Sequence, residues 1–182
     1  MEKKESKVIE KVKGLLREKD VLVSSPKSIE ELSSKGYGTP ENGKLALNFY
    51  EALFLLSKNL LEVKDQKTGK NIDFQSLLQH FRSLDENAWV KYLIYRDLKS
   101  RGYVVREGFG LGIDFRVYER GEYGKETAKY LIFGILEGRP TAIEELTRVL
   151  KHVESLKKKL ILAVINRKGE VVYYALSHLT LT

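Results

Sequence analysis

Cysteine is absent from this 182-residue chain. That excludes a disulfide scaffold, zinc held on thiolates and a thiol nucleophile. Histidine is nearly absent too: His80, His152 and His178 are the only three, far apart in sequence, so no local histidine-rich metal motif exists. No run of about 18 apolar residues is present, so no transmembrane helix is expected. Met1-Glu2-Lys3-Lys4-Glu5 is charged and lacks the apolar stretch of a secretory signal. The missing cysteine fits a reducing compartment, and a cytoplasmic location is the expectation.

What the chain does contain is enough apolar material to fold: 42% of residues are hydrophobic and 31% charged. A length in this range supports one good core or two small ones, and the apolar fraction rules out disorder as the main state. The charge is uneven. Residues 1–87 carry 15 Lys+Arg against 14 Asp+Glu, whereas residues 88–182 carry 17 against 11, a net of +6. A basic half on an otherwise balanced chain suggests a polyanionic partner, most simply a nucleic acid. A lysine-rich solvated surface is the plain alternative.

Periodicity predicts an amphipathic helix over residues 3–18, with Val8, Ile9, Val12 and Leu15 on one stripe. Val21-Leu22-Val23 reads as a short strand. Ser25-Pro26 opens a short helix that ends at Gly36-Tyr37-Gly38. Leu45 to Leu61 is strongly apolar, with Phe49, Leu53, Leu56 and Leu60 near helical spacing, and Asp65 to Lys70 is a polar turn. Phe74 to Phe81 is a further helix. The polar stretch Ser83 to Asn87 marks a boundary, giving an N-terminal domain of residues 1–85 and a C-terminal domain of residues 86–182.

The second half is better punctuated. Asp85 or Asn87 can cap a helix with the stripe Trp89, Leu93, Ile94 and Leu98, stopped by Gly102. Strands follow at 103–106, 113–119 and 129–136, with Ile113, Phe115 and Val117 expected on one face. Pro140-Thr141 opens another helix, with Thr141 and Glu144 as a capping box and Ile143, Leu146, Val149, Leu150 and Val153 facing inward. Leu160 to Ile165 is a continuous apolar run of strand length, covered on both faces. Asn166 to Glu170 is a turn, and Val171 to Leu176 is the last strand. The order predicts an α+β or mixed α/β fold: a small N-terminal α/β domain, then a mixed sheet flanked by helices.

Familiar chemistries find little support. Gly108-Phe109-Gly110-Leu111-Gly112 opens a strand and not a helix, so it reads as a hairpin loop and not a phosphate cradle. A metal-dependent nuclease needs paired carboxylates and a nearby Lys. Asp114 could be the first carboxylate, but the next strand ends at Glu137-Gly138-Arg139, which counts against metal catalysis. No serine or cysteine nucleophile motif is recognisable.

Three segments, Gly112 to Tyr118, Lys129 to Ile132 and Ser155 to Val164, resemble in order and spacing the C-terminal domain of the archaeal tRNA-splicing endonuclease family. Tyr95 to Val105 also fits that domain, and Glu51 to Leu56 fits the family's N-terminal domain. The resemblance begins near residue 25. It implies a restriction-endonuclease-like C-terminal domain and an N-terminal domain used in assembly. It also implies metal-free and cofactor-free cleavage of precursor tRNA introns at a bulge–helix–bulge, leaving 2′,3′-cyclic phosphate and 5′-hydroxyl ends.

In that family a Tyr takes the ribose 2′-hydroxyl proton, a His protonates the leaving 5′-oxygen and a Lys offsets charge on the pentavalent phosphorus. By resemblance the Tyr is Tyr118 and the Lys is Lys158. At the His position this chain has Thr127, and loss of a general acid typically costs about 10²–10⁴-fold in rate. The resemblance therefore implies the structural, non-catalytic subunit of an α2β2 enzyme, paired with a catalytic endonuclease subunit. A self-sufficient endonuclease and a basic RNA-binding module are the alternatives. Lys151, Lys157 and Lys158 are candidate RNA contacts. The final strand, through Val171, Tyr173, Tyr174 and Leu176, with Glu170 in the loop before it, is the candidate subunit interface. Taken singly, Tyr118 is an ordinary strand aromatic, Lys157 to Lys159 a solvated helix end and His152 a surface residue.

Overall fold

Alternation, not helical periodicity, governs the first described segment. In the computed structural model, which describes residues 11–179, Val12–Leu16 forms strand β1. Val12 and Gly14 point inward and Lys13 and Leu15 outward. The expected helix over 3–18 is therefore wrong from residue 12 on, and its residues 3–10 lie outside the described residues. The physical reason is tertiary. β1 is an inner strand, antiparallel to β2 (Asp20–Val23) and parallel to β5 (Leu61–Asp65), and a Cβ on Gly14 would lie 2.5 Å from Val21 Cγ1. Leu15, on the expected buried stripe, is instead exposed.

Between β2 and β5 come α1 (Pro26–Ser34), β3 (Thr39–Glu41), β4 (Lys44–Asn48) and α2 (Phe49–Ser57). After β5 come β6 (Asn71–Ile72) and α3 (Phe74–Arg82). The apolar run from Leu45 to Leu61 is thus split three ways. Leu45 and Leu47 are buried in β4, the helix runs from Phe49, and Leu61 opens β5. Asn48 and Glu51 mark the first break, with the Glu51 carboxylate accepting a hydrogen bond from the Asn48 N–H at 2.8 Å. Asn59 marks the second, in the left-handed region at φ 59°. These strands form one sheet in the order β3-β4-β2-β1-β5-β6. The helices before Gly36 and at 74–82 stand where the sequence reading put them.

The chain divides into two compact units, through Asp85 and from Glu86. The second unit contains α4 (Ala88–Ser100), β7 (Val104–Glu107), β8 (Phe115–Tyr118), β9 (Tyr130–Leu136), α5 (Ile143–Ser155), β10 (Lys159–Ile165) and β11 (Val171–Leu176). Its sheet has the order β11-β10-β9-β8-β7, mixed because β9 and β10 are parallel and joined through α5.

The two helices take opposite faces. Leu131 and Phe133 cluster with Val149, Leu150 and Val153 of α5 and with Leu160. On the other face Gly134 lies under α4, where an added Cβ would sit 2.7 Å from Ile94 Cδ1. Coverage from both sides explains why Leu160 to Ile165 is apolar without alternation. Among the described residues no helix is long and apolar enough to cross a membrane.

Two local expectations are corrected. Ile113 does not share a face with Phe115 and Val117. It joins the α5 cluster, whereas the Phe115 ring meets Tyr95 of α4 at 6.2 Å. Asp114 N–H and the Phe115 pairing both fall opposite Ile132, so the strand bulges there and the alternation slips by one. The Thr141–Glu144 capping box is also not formed. Ala142 holds the N-cap position without a side-chain bond, and Ile143 is 73% exposed instead of buried.

Candidate functional site

The parallel pairing of β9 and β10 sets Lys159 opposite Tyr130, so the segments entering both strands meet at one end of the sheet. The Lys159 N–H donates to the Lys129 carbonyl at 3.2 Å, stitching them together. The antiparallel pairing of β8 with β9 sets Val117 opposite Tyr130, so β8 ends where β9 begins. Tyr118, Thr127 and Lys158 therefore lie at the same end of three adjacent strands.

Lys158 is held by how α5 stops. The Lys157 N–H donates to the Glu154 carbonyl and the Lys158 N–H to the Val153 carbonyl, the paired bonds of a Schellman motif. That motif puts Lys157 in the left-handed region, φ 55°, which favours glycine. Lys157 carries the strained backbone, and the Lys158 side chain turns to the β9 entry, where its Nζ donates to Thr127 Oγ1. Ala128, beside Thr127, is 5% exposed and anchors that entry segment to the core.

The Tyr118 ring stands edge-on to Tyr123 with centroids 5.1 Å apart. Tyr123 also bridges to Glu126, folding the connection between β8 and β9 back toward Tyr118. Sequence reasoning missed Tyr123; the alignment of motifs steps over this glycine-bounded loop, and only its closure reveals the contact. On the opposite strand face Glu119 accepts from Lys129 Nζ at 2.7 Å and from the Tyr130 hydroxyl at 2.9 Å. First Lys129 and then Tyr130 hold the Glu119 carboxyl below its ordinary value. Lys129 is raised in return.

The arrangement offers a cation, an aliphatic hydroxyl and a phenol on an exposed rim. It can attract and orient a phosphate. A side chain that exchanges protons near neutral pH is missing from the trio. The histidines are engaged elsewhere: His80 with the Glu18 carbonyl, His178 with Glu154 at 2.7 Å, and His152 against the Phe109 ring.

The other expected positions scatter. Lys151 lies exposed on α5, on the flank of the same helix that delivers Lys157 and Lys158. Along β11, Val172 and Tyr174 are the outward pair. Tyr173 turns into its own unit, where its hydroxyl donates to Asp97 Oδ2 at 2.8 Å and burial pushes its pKa up. Leu176 packs on the α5 cluster, Val171 is half-buried, and Glu170 is tied by Asn166 Nδ2 at 2.6 Å. Asp114 accepts from the Gly134 N–H at 2.8 Å, and among the described residues no group of three potential metal ligands converges.

A family model described as tRNA intron endonuclease, catalytic C-terminal domain, matches residues 88–173, and one described as tRNA intron endonuclease, N-terminal domain, matches residues 12–78. The chain belongs to the tRNA intron endonuclease family. Curated relatives agree. A tRNA-splicing endonuclease of Methanococcus maripaludis is 35% identical over 91% of this chain and 93% of its own length. One of Thermococcus onnurineus is 34% identical over 81% of this chain and 85% of its own. One of Methanococcoides burtonii is 33% identical over 86% of this chain, a match that spans 44% of that longer protein. Tyr118, Thr127 and Lys158 all fall inside the segment matched to the catalytic domain of the tRNA intron endonucleases.

Proposed function

We propose that this chain is the structural subunit of a tRNA-splicing endonuclease, contributing assembly and RNA contacts while a second, catalytic chain supplies the cleaving site. One observation carries the reading: Lys158 Nζ rests on Thr127 Oγ1. The scaffold still brings these two positions together, but an aliphatic hydroxyl stands where the leaving 5′-oxygen needs an acid. Thr neither gives up a proton near neutral pH nor carries one as a cation. The substrate is precursor tRNA, the assembly α2β2, and β11 with its outward Val172 and Tyr174 is the contact edge, since an uncovered strand edge with apolar side chains favours pairing with another chain.

The test is cleavage of a bulge–helix–bulge RNA without metal, by this chain alone, by a catalytic chain alone and by the two mixed. The expected result is no cleavage by this chain alone and gain of cleavage on mixing. Thr127→His should restore some cleavage if Tyr118 and Lys158 remain aligned. Efficient cleavage by the unmodified chain alone would overturn the subunit assignment.

A further inference from the structure

A cavity of about 220 Å³ opens at the end of the C-terminal sheet away from Tyr118, where β9 finishes. The start of α4 lends it Asn87 and Val90, the first turn of α5 lends Glu145, and Thr141 stands just before that turn. The two helices cover opposite faces of the sheet, so their first turns part at this point. They leave a crevice beyond the carboxyl end of a strand that has a parallel neighbour, which is where open sheets of this kind take ligands. Gly112 and Gly134 line the crevice without side chains, and Val90, Phe133, Ile135 and Leu136 give it an apolar wall.

Two ionised groups share that wall. Arg139 sits in the turn after β9, where its N–H donates to the Leu136 carbonyl at 3.0 Å. Its Nη1 donates to Asn87 Oδ1 at 2.9 Å, which ties the turn to the start of α4 and aims the guanidinium along the cavity. A guanidinium has five N–H donors, so one such bond leaves most of the fork for a ligand. Glu145 is half-buried, and among the described residues it neither pairs with Arg139 nor accepts a side-chain hydrogen bond. Asp114, also in the wall, is engaged by the Gly134 N–H at 2.8 Å.

A cation and a carboxylate therefore line one small cavity without meeting. A simple anion there would face Glu145, and a simple cation would face Arg139. A zwitterion meets both, with charge-assisted hydrogen bonds at each end. The apolar wall adds a place for a hydrocarbon side chain. Drug-sized ligands take about 300–1,000 Å³, so the occupant is smaller than these.

We propose that this cavity binds a free α-amino acid with an apolar side chain, its carboxylate on Arg139, its ammonium on Glu145 and its side chain against Val90, Phe133 and Leu136. The site stands apart from Tyr118, Thr127 and Lys158, and the proposal does not use the subunit reading.

The experiment titrates the full, isotope-labelled chain with four probes and follows amide chemical shifts: leucine, its deaminated acid, its decarboxylated amine, and glycine. Leucine should move the Gly112 and Gly134 amides. The acid, the amine and glycine should each bind at least about tenfold more weakly, because each lacks one of the three contacts. This series uses the unaltered chain, so it holds whatever a substitution does to folding. Arg139→Gln should lower leucine to the affinity of the amine, and Glu145→Gln should lower it to that of the acid. Arg139→Lys should keep part of the binding. Leucine that leaves the Gly112 and Gly134 amides unmoved up to its solubility limit would overturn the proposal. So would an acid that binds as tightly as leucine, which would make this an anion site, or an amine that does so, which would make it a cation site. Leucine affinity unchanged in both glutamine variants would overturn it as well.

Discussion

Among the described residues Glu51 is the one charged side chain in the buried set, 1% exposed, and its removal makes a sharp test of how the N-terminal unit is held. Its two oxygens serve two segments: Oε1 accepts from the Gly38 N–H at 3.0 Å, and Oε2 from the Asn48 N–H at 2.8 Å. Glu51→Ala strips the acceptors and leaves one buried donor, at Gly38, and one half-buried, at Asn48. A buried unsatisfied donor costs about 1–3 kcal/mol, and relief of the buried charge offsets part of the sum, so a loss of about 3–4 kcal/mol is expected. Glu51→Gln keeps one acceptor but turns an amide N–H₂ toward the other donor, and should lose about 2 kcal/mol. Against a typical stability of about 5–15 kcal/mol these are large. With a urea slope of about 1–3 kcal/mol/M, the alanine variant should unfold at a midpoint lower by about 1–4 M in circular dichroism. A second readout is independent of unfolding. Burial first and the Glu51 charge second push the Tyr37 hydroxyl up to about 12, so Glu51→Ala should lower its ultraviolet titration midpoint while leaving it above the ordinary value. A stability change under about 1 kcal/mol would mean that water replaces the carboxylate, and the buried-donor reasoning would fail.

Three further outcomes are expected. In the mixed complex, Tyr118→Phe and Lys158→Met of this chain should each change the single-turnover cleavage rate by less than about threefold, because a competent acid is missing beside them; a loss of about 10²-fold would restore this site to catalysis. Gly134→Ala should lower stability in urea by about 1–3 kcal/mol, since the new Cβ meets Ile94 Cδ1 at 2.7 Å and Asp114 Oδ2 at 2.9 Å with a helix behind them; a neutral result would show that α4 can shift freely. The third concerns pH. The Glu119 carboxyl is depressed by Lys129 and then Tyr130, so its contribution is present above the unfolded carboxyl value of about 4.3 and disappears as pH falls through the lower folded value. The gap in thermal midpoint between the native chain and Glu119→Gln should therefore close on acidification; a gap that widens there would contradict the ion pair.

The C-terminal unit was legible because its elements are strongly patterned. The apolar run Leu160 to Ile165, the α5 stripe through Val149, Leu150 and Val153, and the glycine after α4 each point to one local structure, and neighbours in sequence are neighbours in the sheet. The motif spacing also brings Tyr118, Thr127 and Lys158 forward as candidate positions, and the structure sets Lys158 against Thr127. Residues 12–16 and 45–61 were misread for one reason. Short apolar segments fit a period of 3.6 or of 2 about equally well, and the choice is made by what covers them. For Val12 to Leu16 that is the parallel partner β5, about fifty residues away in sequence, a pairing no local window contains. The Ile113 bulge, the turn of Tyr173 onto Asp97 and the edge contact of Tyr123 with Tyr118 belong to the same class. Composition and spacing settle which residues are available for chemistry, because side-chain type is written in the chain. Which of them meet, as Lys158 meets Thr127, depends on strand order and on how a helix ends, and those are decided only when distant segments compete for the same core.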